Sequence, residues 1–371
     1  MATHDINLAD RSGSLVESHK GYDPRLIVFY PILAALLALL AGGLAYQQLF
    51  RSDRHSEAER TQNQRRILVP GPRGHIYDRH GRKLVENRAR FSVVLYLDEL
   101  KRDLRREHFA IRRNHLAAGA TRKNFTYAQL EQLARVSVVQ RYLDQVNRLL
   151  HRDEPLDAAR LHKHFNSELL LPFPLIDHLT PEEYARLIER LPVVSPLQVF
   201  VSNARHYPHG SAAAHTLGYV RSHEEVAAED FPGEDLMTFK LKGTIGKDGI
   251  ERQYDATLQG EAGGSIFRVD PAGFRVNPPL EKRLPVQGRN LTLSLDLTLQ
   301  LTAEQALGDQ EGAVVALDVR TGEILTLVSK PDYDLNKFSP RASRETVQDM
   351  TERGAWTNRA VNGFYPPGST V

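Results

Sequence analysis

Between Leu26 and Tyr46 the chain reads LIVFYPILAALLALLAGGLAY, a run without a charged side chain. At about 1.5 Å of rise per residue, such a helix spans the roughly 30 Å hydrocarbon core of a bilayer. A single transmembrane helix is therefore expected over residues 26–49, behind a cytoplasmic tail of residues 1–25. A cleaved signal peptide is the competing reading, but its apolar region would run only about 7 to 15 residues and end in a small-x-small site. Pro31 falls near the helix start, where a missing N–H matters least. Ala34, Ala38 and Gly42 form a small-residue stripe, either a packing surface for another membrane helix or the ordinary composition of such spans.

Basic residues flank both sides: Arg11, Lys20 and Arg25 before the span, and Arg51, Arg54, Arg60, Arg65 and Arg66 after it. Counted alone, they favour the second side as cytoplasmic. The rule weakens when a long domain is translocated, so the bulk of the chain is expected outside the cytoplasm.

The remainder has the apolar content of a folded protein, and Lys+Arg 48 against Asp+Glu 46 gives no basic excess that would point to nucleic acid. The absence of cysteine excludes disulfide scaffolds, thiolate zinc sites and cysteine nucleophiles. His162 and His164, two apart, fall on different helix faces and do not suit one metal. The basic stretch from Lys101 to Lys123 lacks interleaved aromatics and reads as a solvated face.

Local patterns alternate between strand and helix, giving an α+β class. RFSVVLYL (Arg90 to Leu97) suits a strand. Leu143, Val146, Leu149 and Leu150 recur at helical spacing, and Leu156 to Leu171 carries a second helix. Thr180-Pro181-Glu182-Glu183 is a capping box opening a helix to about Leu191. LTLSL (Leu291 to Leu295) alternates as a half-buried strand, and Asp296 can cap a helix built on Leu297, Leu301, Ala303 and Leu307. AVVAL (Ala313 to Leu317) and ILTLV (Ile324 to Val328), joined through Thr321-Gly322, predict a hairpin buried on both faces.

Three charged, glycine-bearing motifs precede that hairpin. Arg73-Gly74-His75-Ile76-Tyr77-Asp78-Arg79-His80-Gly81 reads as a strand and turn holding two arginines and an aspartate together. Arg205-His206-Tyr207-Pro208-His209-Gly210, with Ala214-His215-Thr216-Leu217-Gly218-Tyr219-Val220, reads as a turn feeding a short helix that ends at Gly218. Gly246-Lys247-Asp248-Gly249-Ile250-Glu251 predicts a helix with an Asp248 and Glu251 capping box and with Ile250, Tyr254 and Leu258 on one face. Singly, each suits a structural role.

In this order they resemble the R-G-x-I-x-D-R-x-G, R-x-Y-P-x-G…A-H-x-L-G-Y-V and G-x-x-G-I-E motifs of the class B penicillin-binding proteins. The segments Leu293 to Gln300, Gly312 to Val328, Asn358-Arg359-Ala360 and Phe364-Tyr365-Pro366-Pro367-Gly368-Ser369-Thr370-Val371 continue the likeness, which takes its nearest form in the enzymes of rod-shape elongation. Residues 100–175 match no motif of the family. The resemblance implies an elongated α+β pedestal of dimerisation type over residues 50–289. It also implies that residues 290–371 begin an α/β transpeptidase domain of antiparallel sheet and helices.

The resemblance further implies that Ser369 is the nucleophile of an S-x-x-K motif, with structural roles for Arg73, Asp78, Arg79 and Glu251. Arg73 or Arg79 is expected to pair with Glu251. The implied activity is serine acyl transfer on D-Ala-D-Ala peptidoglycan stem peptides, with β-lactams as mimics, no cofactor and no metal. The S-x-x-K lysine and the S-x-N and K-T-G elements would lie beyond Val371, so a polypeptide of these 371 residues is expected to be inactive. The implied partners are the membrane and a polytopic glycan polymerase. A non-catalytic, membrane-anchored pedestal that binds and regulates such a polymerase is the alternative.

Overall fold

The computed structural model describes residues 24–50, 52–118, 126–192, 194–223, 231–276, 278–339 and 342–364. It divides into two units, residues 1–60 and 61–371. The first holds α1 (Pro24–Phe50) and most of α2 (Ser52–Asn63). Helix α1 contains Phe29–Tyr46, long and apolar enough to cross a membrane, and every side chain along that window is exposed. A helix apolar on all sides and uncovered by any of the described residues suits a lipid surrounding.

The second unit starts with β1 (Gln64–Gly71), β2 (Ile76–Tyr77) and β3 (Lys83–Leu95), followed by α3 (Lys101–Ala117) and α4 (Tyr127–Leu150). Thr126 and Gln129 cap α4 reciprocally, and Leu130, Ala134, Val138, Leu143, Val146 and Leu150 form its buried face. Next come α5 (Ala158–Ser167), β4 (Phe173–Ile176), α6 (Pro181–Ile188) and β5 (Leu197–His206). The capping box of Thr180 and Glu183 opens α6 as expected. Side chains of β3, α4, α5, α6 and β5 share one core, with Leu97, Leu100, Val146 and Leu187 fully enclosed.

Then follow α7 (Ala214–Leu217), β6 (Val220–His223), β7 (Met237–Lys240), β8 (Gly243–Gly246), α8 (Gly249–Gln253), α9 (Asp255–Leu258), β9 (Gly260–Arg268) and β10 (Glu281–Arg283). The described chain ends with β11 (Leu291–Thr292), α10 (Leu297–Leu307), β12 (Gly312–Leu317), β13 (Ile324–Lys330), α11 (Arg344–Glu352) and α12 (Arg359–Asn362). One sheet has the order β10-β9-β1-β7, and another the order β11-β2-β3-β4 with β5 also on β3. The pairs β6–β8 and β12–β13 stand apart from these two sheets. The class is mixed α+β, as the sequence implied.

Register is what positions the motifs. Strand β3 pairs with β5 from Glu86↔His206 to Leu95↔Leu197, which sets Asn87 opposite Arg205. Strand β2 pairs parallel with β11 through Ile76↔Leu291, and β8 pairs with β6 through Gly246↔Val220.

Four local expectations need correction. Strand β3 starts at Lys83, upstream of Arg90, because its first residues pair with β2 and Glu86 onward with β5. Only Leu291–Thr292 of LTLSL joins a sheet, since β2, its partner, is itself two residues long. The helix after Asp248 breaks at Tyr254, and no capping box forms there: Asp248 makes no side-chain cap, and the Glu251 carboxylate goes to Arg73 and Arg205 instead. The hairpin of β12 and β13 is not buried on both faces. Gln300 of α10 bonds the amide and carbonyl of Leu327, while Ala313, Val315 and Leu317 are exposed.

Candidate functional site

Glu251, on the first turn of α8, is fully buried and stands where three chain segments meet. Its Oε2 accepts Arg73 Nε at 3.1 Å and Nη2 at 2.7 Å. Its Oε1 accepts Arg205 Nε at 2.6 Å. Arg73 Nη1 reaches Asp255 Oδ1 at 2.7 Å, and that oxygen also accepts the Gly246 amide at 2.8 Å. Arg205 Nη1 donates to Gly74 O at 2.7 Å and to Asn87 Oδ1 at 3.1 Å, while Asn87 Nδ2 donates to Arg73 O at 2.6 Å.

Two guanidiniums therefore face two carboxylates, Glu251 fully buried and Asp255 partly exposed, in a site where each charge depends on its partners. Arg205 Nη2 and the Tyr207 hydroxyl find no partner among the described residues. A carboxylate so fully committed has no face left for a substrate. The arrangement ties segments together rather than moving protons.

The glycines allow the close approach this needs. A Cβ on Gly246 would lie 1.9 Å from Glu251 O. Gly218, at φ +73°, would place one 1.9 Å from Asp248 O.

The other predicted residues separate. Arg79 does not reach Glu251; it pairs with Glu323 at 3.4 Å in the turn between β12 and β13, both side chains being substantially exposed. Asp78 is fully buried and accepts the amides of Arg82 at 2.7 Å, His80 at 2.9 Å and Leu297 at 3.2 Å, with Arg82 Nε at 2.8 Å. Burial alone would raise the Asp78 pKa, but these amides and the guanidinium outweigh it and hold the carboxyl below its ordinary value. Arg82 also reaches Asp296, which caps α10 through the amides of Thr298 and Leu299.

Arg82, Asn87, Arg205 and Asp255 belong to these ties, and sequence reasoning assigned them no role. Arg205 heads a motif, so its signal was present. Asp255 follows Glu251 by four residues, but the helix break at Tyr254 hides that relation.

The second motif binds the C-terminal segment. Asn336 Oδ1 accepts the Tyr207 amide at 2.9 Å, and its Nδ2 donates to Tyr207 O at 2.9 Å. Glu304 accepts the Ala213 amide at 2.8 Å. The buried His215 donates from Nε2 to Ala355 O at 2.8 Å, and burial, only partly offset by that carbonyl, lowers its pKa. Beyond them, Ser329 Oγ accepts the Arg359 amide at 2.9 Å and donates to Thr357 O at 3.2 Å, fixing the approach to α12. Ser369 lies outside the described residues.

A cleft of about 890 Å³ opens beside Arg73 and Arg205. Its walls include the consecutive residues Phe200 to Asn203 of β5 and Thr238 to Lys240 of β7. Among the described residues, each of these strands pairs on one side only, with β3 and β1 respectively. His162 is exposed and His164 buried against Leu171 O, on different faces of α5.

Residues 68–293 match the penicillin-binding protein dimerisation domain, and residues 312–371 match the penicillin-binding protein transpeptidase domain. Peptidoglycan D,D-transpeptidase MrdA of Acinetobacter baumannii is 30% identical over 353 residues, 94% of this chain and 46% of that protein. The protein of the same name from Escherichia coli K12 is 30% identical over 93% of this chain and 50% of its own length. The chain thus spans about half the length of the curated relatives it matches. Among solved structures, a complex between penicillin-binding protein PBP2 and MreC from Helicobacter pylori aligns with a TM-score of 0.49 and 24% identity, over 82% of this chain and 51% of that one.

Proposed function

The chain belongs to the penicillin-binding proteins, and from that premise we propose that it serves as a peptidoglycan D,D-transpeptidase with Ser369 as nucleophile. The observation that carries the reading is the transpeptidase-domain match through residues 312–371, which takes in Ser369. The MrdA relatives support it.

In this reading Ser369 Oγ attacks the carbonyl of the penultimate D-Ala of a stem peptide. The amide C–N bond breaks, the terminal D-Ala leaves with the serine proton on its amine, and a serine ester remains. An amine of a neighbouring strand then attacks the ester, forming the cross-link and regenerating the hydroxyl. A lysine three residues after the serine on one helix face would accept or orient its proton. Helix N–H groups at that turn would stabilise the oxyanion. β-Lactams acylate the same oxygen as mimics of D-Ala-D-Ala. Residues 50–289 are the pedestal, residues 290–371 begin the catalytic domain, and α1 anchors both in the inner membrane with the bulk in the periplasm.

The test begins with the encoded sequence, which under this reading places lysine directly after Val371 and supplies S-x-N and K-T-G further on. A polypeptide containing them should be labelled by fluorescent penicillin, and Ser369→Ala should abolish that labelling. The 371 residues alone should not label. Labelling that survives Ser369→Ala would remove the serine from its role.

A second reading, a docking scaffold for a polytopic glycan polymerase, draws on the cleft between the free edges of β5 and β7. Extended segments add to such edges through main-chain hydrogen bonds. Polymerase capture that Ser202→Pro, within β5, leaves intact would count against docking on that edge.

A further inference from the structure

Helix α3 is divided by charge. Glu107 turns toward α4, where it accepts the Ser137 hydroxyl at 2.8 Å and Arg141 Nη2 at 2.5 Å. Asp103 interacts with Tyr142 of the same helix. The opposite face carries Arg102, Arg105, Arg106, Phe109, Arg113 and Leu116, all exposed. At about 100° per residue these six fall within an arc of about 100°, in a stripe roughly 21 Å long. Among the described residues, none of the four arginines has an acidic partner.

The sequence reading of this stretch as a plain solvated face rested on a lack of interleaved aromatics, and Phe109 overturns that premise. Its ring is 52% exposed, with the Arg105 guanidinium 5.9 Å from its centroid. Tyr127, 71% exposed, lies on the other side of the buried His108 ring, which is 5.8 Å from Phe109 and 4.7 Å from Tyr127. A solvated face has no use for an exposed Phe109 and Leu116 among arginines, with the exposed Tyr127 nearby. A soluble polyanion would engage the arginines and gain nothing from Leu116. A bilayer surface uses both, taking guanidiniums at its phosphates and apolar rings at the acyl boundary. The chain also carries α1, able to cross a membrane, so a second contact of modest strength is enough.

We propose that the outward face of α3 is an interfacial docking surface for anionic phospholipid headgroups. The proposal is independent of the transpeptidase reading, since it needs neither Ser369 nor the catalytic domain.

The test uses the full chain reconstituted into phosphatidylcholine vesicles with or without phosphatidylglycerol. These 371 residues contain no cysteine. Leu116→Cys therefore supplies a single thiol for a bimane label, read against a lipid-borne nitroxide quencher, and Gln348→Cys on exposed α11 is the control site. Quenching is expected at position 116 with the anionic lipid, and not at position 348. Each arginine near an anionic surface strengthens binding about fivefold, so Arg102→Glu with Arg105→Glu and Arg106→Glu should weaken the contact by at least about a hundredfold. Molar salt on the unaltered arginines should mimic that loss, and circular dichroism checks that the variant is folded.

The proposal is overturned by no quenching at position 116, by equal quenching on pure phosphatidylcholine, or by quenching that persists in the folded triple variant. Binding of soluble polyphosphate without any lipid quenching would reassign the face to a soluble polyanion and overturn it equally.

Discussion

Replacing Glu251 by glutamine keeps the side chain's shape and removes its charge, which isolates what the carboxylate contributes. The carboxylate accepts Arg73 through two nitrogens and Arg205 through one. Glutamine offers one oxygen, so it can satisfy one guanidinium while its amide N–H groups confront the N–H groups of the other. Arg73 retains Asp255, whereas Arg205 is left with neutral partners only, Gly74 O and Asn87 Oδ1. Removing one member of a buried pair costs about 3 to 5 kcal/mol. At roughly 2 to 4 °C per kcal/mol for a unit of a few hundred residues, the melting temperature should fall by about 10 °C.

The assay is thermal unfolding of the detergent-solubilised chain by circular dichroism, with urea unfolding followed at Trp356. A cycle with Arg205→Met separates the pair from general packing, since the double variant should lose less than the sum of the singles. A Glu251→Gln protein within about 1 kcal/mol of the parent would refute the assignment of the carboxylate as the tie between the motifs.

Arg79 and Arg82, close in sequence, should behave differently. Arg79→Ala removes an exposed pair worth at most about 1 kcal/mol, whereas Arg82→Ala strips the buried Asp78 of its guanidinium and should cost several times more in urea unfolding. Asp98 is enclosed beside Arg275, and burial outweighs that cation to raise its pKa to about 6. The folded state therefore holds this proton more tightly than the unfolded state, and stability should decline as pH rises from about 4 past 6. The shift corresponds to roughly 3 kcal/mol as an upper figure, and Asp98→Asn should flatten that part of the stability–pH curve. Gly218→Ala sets a Cβ 1.9 Å from Asp248 O at a positive φ and should destabilise by more than about 2 kcal/mol in the same unfolding assay.

Elements whose cause is local were legible in the sequence. The capping box of α6 and the Asp296 cap of α10 rest on residues within a few positions of each other, and the charge-free run of α1 decides its own conformation. What misled the reading was set by distant partners. Lys83 to Arg88 look like no strand until β2 and β5 lie beside them, and Asp248 with Glu251 looks like a capping box until Arg73 and Arg205 draw the glutamate away. The site followed the same division. Glu251 and Arg73 stood out as charged residues within motifs, but nothing in the sequence around Arg79 reveals that it faces the β12–β13 turn instead. Arg82 and Asp255 gain their meaning only from the turn and the helix break that aim them.

The three motifs act on one another's backbone more than on any ligand. Arg73 grips Glu251 O as well as its carboxylate, Arg205 grips Gly74 O, and Asp255 holds the Gly246 amide. The two arginines thus each fix the main chain of a different motif, Asp255 braces the third from within, and glycine stands where a larger residue would hold the strands apart. Such a joint transmits displacement, because moving one segment unpairs a buried charge belonging to another. The second motif continues through Asn336, Glu304 and Ala355 toward the Ser329 and Arg359 contact that precedes α12. A change near Glu251 should therefore be felt as far as the Ser329 and Arg359 contact at the start of α12, although no residue of that cluster needs to touch a substrate.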